Sequence, residues 1–178
     1  VELTFSLLVN DGVLNSVADT VVITITSPPN TPPTANAGAD ATVASGATVN
    51  PSAAGSSPND VGQSLSYAWT QLSGPSVVIS NGTTATPSFT APTLVAGAAR
   101  EEVILVLTVN DGVVDSLADA VTYTVTSPPN TLPTANAGSA ATVASGATVN
   151  LDGSGSNAND VGQTLTYAWS QTVGPLGT

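Results

Sequence analysis

Acidic side chains are the main chemically reactive groups in this 178-residue sequence. There are twelve Asp and Glu residues and one basic residue, Arg100, with no Lys, His or Cys, so the net charge is −11. Glu101 and Glu102 form the one adjacent acidic pair, and neighbours on a strand point to opposite faces, so these carboxylates cannot converge on one substrate. Because a base, a nucleophile and an oxyanion partner are all missing, the sequence predicts no catalytic residue and no enzyme.

Calcium is the one metal that the composition leaves open. Ca²⁺ takes six to eight oxygen ligands, and three aspartates recur 100 residues apart: Asp11 and Asp111, Asp19 and Asp119, Asp60 and Asp160. Asn110-Asp111-Gly112 is also a good turn, because Asn and Asp bond to their own backbone and Gly accepts a positive φ. No EF-hand spacing is present. We therefore interpret these aspartates as turn residues and predict no cofactor-binding or metal residue, with calcium as the alternative.

Aromatic and amide side chains offer two further chemistries, sugar stacking and glycosylation. Trp69, Tyr67 and Tyr123 lie on alternating apolar faces and are predicted to be in the core, and three others follow by repetition: Phe5, Tyr167 and Trp169. Phe89 is the loosely placed one. A sugar platform is therefore not favoured. Asn81-Gly82-Thr83 is a glycosylation sequon, but Asn-Gly also forms hairpin turns, and we favour the turn.

The charge and hydropathy patterns exclude two classes of partner. One arginine cannot neutralise the phosphates that a nucleic-acid-binding protein contacts, so no nucleic acid is expected. No run of about 18 apolar residues exists, so no membrane-spanning segment is predicted.

An internal repeat dominates the sequence. When the chain is aligned with itself at an offset of 100 residues, 48 of the 78 aligned pairs are identical, and ATVASGATVN at 41–50 recurs unchanged at 141–150. A period of this size matches a whole domain, not a solenoid unit. Proline-rich segments at 27–33 and 127–133 punctuate the repeat and favour semi-rigid polyproline II spacers.

These boundaries predict five segments. Residues 1–26 form the C-terminal part of one repeat, 27–33 a linker, 34–126 a complete repeat, 127–133 a second linker, and 134–178 the N-terminal part of the next repeat. We expect the chain to be an excerpt of a longer array. The alternative is that residues 1–26 of one chain complete residues 131–178 of another by strand donation.

The strand pattern predicts an all-β protein. Apolar residues alternate with a period of two, for example Val103, Leu105, Leu107 and Val109. Turn residues recur every 8 to 12 positions, as in a β-sandwich. Strands are expected near 34–37, 41–44, 47–51, 64–72, 76–80, 86–90, 102–109 and 118–126. About seven strands with a tryptophan on the third main one predict tandem immunoglobulin-like antiparallel β-sandwiches.

Several motifs in this order resemble the polycystic kidney disease (PKD)-like domain. They are PTANAG at 133–138, NLDGSGS at 150–156, Tyr167-Ala168-Trp169-Ser170-Gln171 and Gly174-Pro175, and, at the end of a unit, Leu107 to Gly112 and Val121 to Val125. The Trp-x-Phe-Gly-Asp-Gly signature of better-known members is absent, and Ser52-Ala53-Ala54 replaces the Asp-Gly-Ser of the later copy. The resemblance implies a bacterial or archaeal surface or secreted protein whose domains act as spacers, adhesion modules or interaction modules.

The function expected from these observations is structural. The chain is predicted to be a segment of a long extracellular or cell-surface repeat protein that forms a stalk, adhesin shaft or surface filament. Its partners are then neighbouring repeats of the same chain and other copies of itself in a filament. The alternative is a set of ligand- or carbohydrate-binding accessory modules of a larger adhesin or secreted hydrolase, which contact the ligand through loop 56–63.

Overall fold

The computed structural model describes residues 1–174, which contain eight strands and no helix. The all-β prediction is therefore confirmed. Two compact units are present, Val1–Thr31 and a second that begins at Pro32. The second linker, 127–133, does not divide the second unit.

The first unit is a single antiparallel hairpin, made of β1 (Glu2–Leu7) and β2 (Asp19–Thr24). Its register runs from Glu2↔Thr24 to Leu7↔Asp19. Every residue of both strands is exposed. This unit therefore has paired strands but no core of its own.

The second unit contains the sandwich, which we call the central sandwich (residues 34–126). Its strands are β3 (Ala41–Ala44), β4 (Thr48–Val49), β5 (Ser66–Ser73), β6 (Phe89–Thr90), β7 (Glu101–Asn110) and β8 (Asp119–Thr126). Four of them form a sheet in the order β3-β8-β7-β5, and β4 pairs with β6 in a second, smaller sheet. All these pairs are antiparallel except β3 with β8, which is parallel.

Strand β7 supplies the centre of the core because its alternating residues face inward. Val103, Leu105, Leu107 and Val109 are at most 1% exposed, whereas the residues between them are only partly buried. Strand β8 adds Val121, Tyr123 and Val125 on the same side. The period-two pattern therefore identified the inward face of both strands correctly.

Two predicted strands are absent from the central sandwich. Around 34–37 and 76–80 the structure has only single bridges, Thr34↔Ser57 and Ser80↔Ser88. In the first segment, the Asn36 side chain accepts the Gly38 N–H at 2.9 Å, a local bond that replaces a strand ladder. The expected strands at 47–51 and 86–90 shrink to β4 and β6.

The C-terminal segment (residues 134–174) repeats local features of the central sandwich without its strands. Its one bridge, Thr134↔Asn157, matches Thr34↔Ser57. The Asn136 side chain accepts the Gly138 N–H at 2.9 Å, as Asn36 does in the central sandwich. Pro175 of the last Gly-Pro motif lies outside the described residues.

Candidate functional site

The recurring aspartates accept hydrogen bonds from the backbone. Asp111 is 4% exposed, and its Oδ1 accepts the N–H groups of Val113 at 2.8 Å and Val114 at 2.9 Å. Asp119 Oδ2 accepts the Ala37 N–H at 2.7 Å. The prediction that Asn110-Asp111-Gly112 forms a turn is confirmed, since Asn110 Oδ1 also accepts the Gly112 N–H.

Backbone hydrogen bonds also set the acidity of two carboxyl groups. The N–H groups of Leu14 and then Val13 hold the pKa of Asp11 below its ordinary value. The Ser154 backbone N–H, and then its hydroxyl, lower the pKa of Asp152 in the same way. A bond to the ionised form favours that form. These carboxylates therefore stabilise turns.

The acidic residues do not gather into one centre. Among residues 1–174 no group of three or more Asp and Glu side chains is placed to hold a metal ion. Glu101 and Glu102 are successive residues of β7, opposite Val125 and Thr124 of β8. The absence of a metal stays a prediction, with calcium as its alternative.

The aromatic residues of the central sandwich lie in its core. Trp69 is 6% exposed, and its Nε1–H donates to the Thr84 carbonyl at 3.1 Å. Phe89 packs edge-on against Tyr123, with ring centroids 5.4 Å apart, and joins the small sheet to the large one. The interpretation of Phe89 as loosely placed was wrong, because it is 3% exposed. Its strand of two residues is too short to show a period.

Three other aromatic predictions were also wrong. Phe5 and Tyr167 are each 56% exposed, and Trp169 is 48% exposed. Phe5 and Trp169 repeat the positions of the buried Leu105 and Trp69, and Tyr167 repeats that of the partly buried Tyr67. The strands that cover those positions in the central sandwich have no counterpart within the same unit among the described residues. Repetition therefore preserved the residue type without preserving its burial.

An open cavity of about 450 Å³ lies beside Tyr167 and Trp169, with Ala137 and Gly153 in its wall. Its wall residues correspond, 100 positions earlier, to members of the central core such as Ala37, Ala53 and Trp69. The cavity therefore corresponds in position to part of the core of the central sandwich, and its shape does not define a ligand site.

The Tyr-x-Trp-x-Gln and Gly-Pro motifs build a turn beside the sheet edge. Gln71 Nε2 donates to the Pro75 carbonyl at 2.7 Å, and its Oε1 accepts the Val77 N–H at 3.0 Å. A Cβ at Gly74, where φ is +96°, would lie 2.0 Å from the Glu102 carbonyl oxygen. Only glycine fits this approach. The motif residues therefore have structural roles.

Loop 57–63 is tied to the start of its own sandwich. Asn59, at a φ of 67°, donates from Nδ2 to the Pro32 carbonyl at 2.6 Å and to Thr34 Oγ1 at 3.0 Å. Asn159 makes the same two bonds, to Leu132 and Thr134. Asn81 lies in an exposed turn at a φ of 56°, as its Asn-Gly sequence predicted, and its carbonyl accepts the Thr84 N–H at 3.0 Å.

Residues 37–125 match the family described as K319L-like, PKD domain. The chain belongs to this family. The predicted PKD-like fold is thereby confirmed, and the match falls on the segment that has its own core.

Solved structures give more distant likenesses. A nucleoside hydrolase-related hypothetical protein from Saccharophagus degradans shares 26% identity at a TM-score of 0.46, over 55% of this chain and 26% of its own. The PKD domain of the KIAA 1837 protein shares 20% identity at 0.42, over 58% and 94%. An endo-fucoidan hydrolase of glycoside hydrolase family 107 shares 20% at 0.34, over 71% and 19%. The chain thus spans about a quarter or less of both hydrolase-related chains, and at these scores the likenesses carry no argument about its function. No protein of curated function matches the sequence significantly.

PKD domains are non-catalytic modules and are typically extracellular. Residues 1–174 include no helix that is long and apolar enough to cross a membrane.

Proposed function

We propose that this chain is a structural and interaction segment of a long extracellular repeat protein that forms a stalk, adhesin shaft or surface filament. One observation carries the proposal: in the central sandwich the motif residues, the buried aromatics and the recurring aspartates serve the fold itself. Trp69 bonds Thr84, Gln71 holds the Gly-Pro turn, and Asp119 bonds Ala37. A module built in this way is suited to act as a spacer.

The repeat pattern supports an elongated assembly. The sequence repeats at 100 residues, and a Pro-rich segment follows each unit at 27–33 and 127–133. Such linkers are semi-rigid and keep neighbouring domains apart. The partners on this proposal are adjacent repeats of the same chain and further copies in a filament, at the cell surface or outside the cell.

The surface chemistry favours contacts between like chains. Only 7% of the residues are charged, against about 25% in an average soluble domain. Threonine, serine and scattered aliphatic side chains can pack against a like surface, and salt at physiological concentration screens the repulsion between copies that each carry a net charge of −11. Lateral packing into a filament is therefore the interaction that this surface suits best.

Electron microscopy of the native polypeptide tests the proposal. An antibody raised against residues 34–126 serves both to purify the protein and to label it on intact cells. The ten residues of β7, at about 3.4 Å each, give a sandwich about 34 Å long, so rows of beads at a spacing of about 35–40 Å are expected. Label inside the cell, or a compact particle without bead rows, contradicts the proposal. Saturable oligosaccharide binding by residues 34–126 would instead favour the accessory-module alternative.

A further inference from the structure

The second linker is held from both sides by hydrogen bonds. On the side of the central sandwich, Ser127 Oγ donates to the Ala98 carbonyl at 2.9 Å, and the Gly97 N–H donates to the Pro128 carbonyl at 3.1 Å. On the side of the C-terminal segment, Asp160 Oδ2 accepts the Thr131 N–H at 2.6 Å. The linker therefore lies between turn 95–98 and loop 159–163.

The side-chain amide of Gln163 contacts both turn 95–98 and the linker. Its Nε2 donates to the Ala96 carbonyl at 3.2 Å, in the turn of the central sandwich, and also to Asn130 Oδ1, in the linker. This side chain of the C-terminal segment thus reaches an element 67 residues earlier in the chain. It is a direct bond between the two sequence repeats.

The contacts from the C-terminal segment are made to the residues between the prolines. Pro128, Pro129 and Pro133 have a fixed φ and stiffen the two ends of the linker. The three residues between them are each held by a side chain of loop 159–163. They are Asn130 by Gln163, Thr131 by Asp160 and Leu132 by Asn159.

Small residues allow the turn and the loop to approach closely. A Cβ at Gly97 would lie 3.2 Å from the Asn130 Cβ, and one at Gly162 would lie 3.2 Å from Val95 Cγ1. Both glycines have a positive φ, +73° and +81°, which disfavours larger residues there. Shape as well as hydrogen bonding therefore fits the loop to this turn.

We infer that Asp160, Gln163 and Asn159 form a clamp that fixes the angle between successive repeats, with turn 95–98 of the preceding repeat as its docking surface. The inference deepens the proposed function and rests on it, since a shaft of beads transmits force or sets distance only if its joints are held. The sequence has the same residue types one repeat earlier, at Asn59, Asp60 and Gln63.

Pulsed electron–electron distance measurement on the full chain tests the clamp. The chain has no cysteine, so spin labels on Thr83→Cys and Ser139→Cys attach only there; both native residues are exposed. The distance distribution is measured in the parent and in Gln163→Glu, which keeps the side-chain size but cannot donate to Ala96 and Asn130. The matched control is Gln63→Glu.

The expected result is a narrow distribution in the parent and in Gln63→Glu, and one at least about twofold broader in Gln163→Glu, because this variant removes the bonds that the Gln163 amide donates to the turn and to the linker and places a carboxylate against the Ala96 carbonyl. A distribution that is already broad in the parent overturns the clamp. So does one that stays narrow in Gln163→Glu.

Hydrogen exchange gives a second measurement that does not need the labels. Asp160→Asn weakens the acceptor of the Thr131 N–H, so this amide should exchange faster while amides in β7 keep their protection. Unchanged exchange at Thr131 overturns the clamp. A free joint in a native protein that still forms bead rows refutes the clamp alone, whereas a compact native particle refutes the proposed function.

Discussion

Leu107 and Leu7 occupy the same position of the sequence repeat, yet the structure predicts very different costs for their loss. Leu107 is fully buried on β7, opposite Trp69 of β5, whereas Leu7 is 64% exposed on β1. Truncation to alanine removes three carbon atoms, worth about 2.4 kcal/mol of transfer free energy when fully buried, and a cavity adds to this. We therefore expect Leu107→Ala to cost about 3–4 kcal/mol.

The matched variant Leu7→Ala should cost much less. Only about a third of that side chain is buried, which scales the transfer term to under about 1 kcal/mol, and no closed cavity forms. A domain of this size is stable by roughly 5–15 kcal/mol, so both variants should remain folded at 25 °C. The comparison isolates burial from residue type.

Urea unfolding followed by the fluorescence of Trp69 reports on the central sandwich, so it measures the cost of Leu107→Ala and should show almost no change for Leu7→Ala, which lies in the other unit. A Trp169→Phe background removes the second, half-exposed tryptophan. With an m-value of about 1.5 kcal/mol/M, Leu107→Ala should lower the unfolding midpoint by about 2 M. Equal midpoint changes for the two variants would refute the assignment of the core to β7. A large, concentration-dependent effect of Leu7→Ala would show that another copy covers the hairpin.

Two further predictions concern side chains that the fold uses. Asp119→Ala should cost about 1–3 kcal/mol in urea unfolding, because the Ala37 N–H loses its acceptor in the interior. Asp119→Asn, which keeps an oxygen acceptor, should recover most of this, and Asp19→Ala in the hairpin should not affect the sandwich. Burial, and then the Asp40 carboxylate, raise the pKa of Tyr123, so the folded chain binds this proton more tightly than the unfolded chain. The stability that this tighter proton binding adds is complete below the ordinary tyrosine pKa and is lost as the pH rises through the raised value. Above about pH 10, the unfolding midpoint should therefore fall more steeply in the parent than in Tyr123→Phe.

Long alternating strands were predictable from the sequence, and irregular segments were not. In β7 and β8 the period-two pattern alone decides which side chains face the core. Residues 76–80 are also rich in apolar side chains, but they follow the Gly-Pro turn. The Val77 N–H there donates to the Gln71 side chain and not to a neighbouring strand. A side-chain acceptor six residues away competes with the ladder, and no local pattern reveals that competition.

Burial at repeated positions depends on what the chain supplies to cover them. Trp69 and Trp169 have nearly identical sequence surroundings, but they are 6% and 48% exposed. Strand β7 pairs with β5 and places Leu107 opposite Trp69, whereas no strand among the described residues pairs with the segment around Trp169. The local turns at Asn36 and Asn136 need no distant partner, and they form the same hydrogen bond in both copies.

The hydrogen-bond partners of the clamp residues were likewise not predictable from the sequence. The sequence marks Asp160 and Gln163 as members of a recurring loop, which is consistent with a calcium ligand, a ligand-contacting loop or a turn. Neither residue belongs to a local motif that identifies its hydrogen-bond partner. Gln163 bonds across 67 residues to a backbone carbonyl, and every residue type offers the same carbonyl. The sequence cannot identify a contact of this kind, because the donor is one particular side chain, whereas the acceptor is a backbone carbonyl that every residue has. The joint is therefore visible only once the turn and the loop are placed in space, and the spin-label experiment tests that placement.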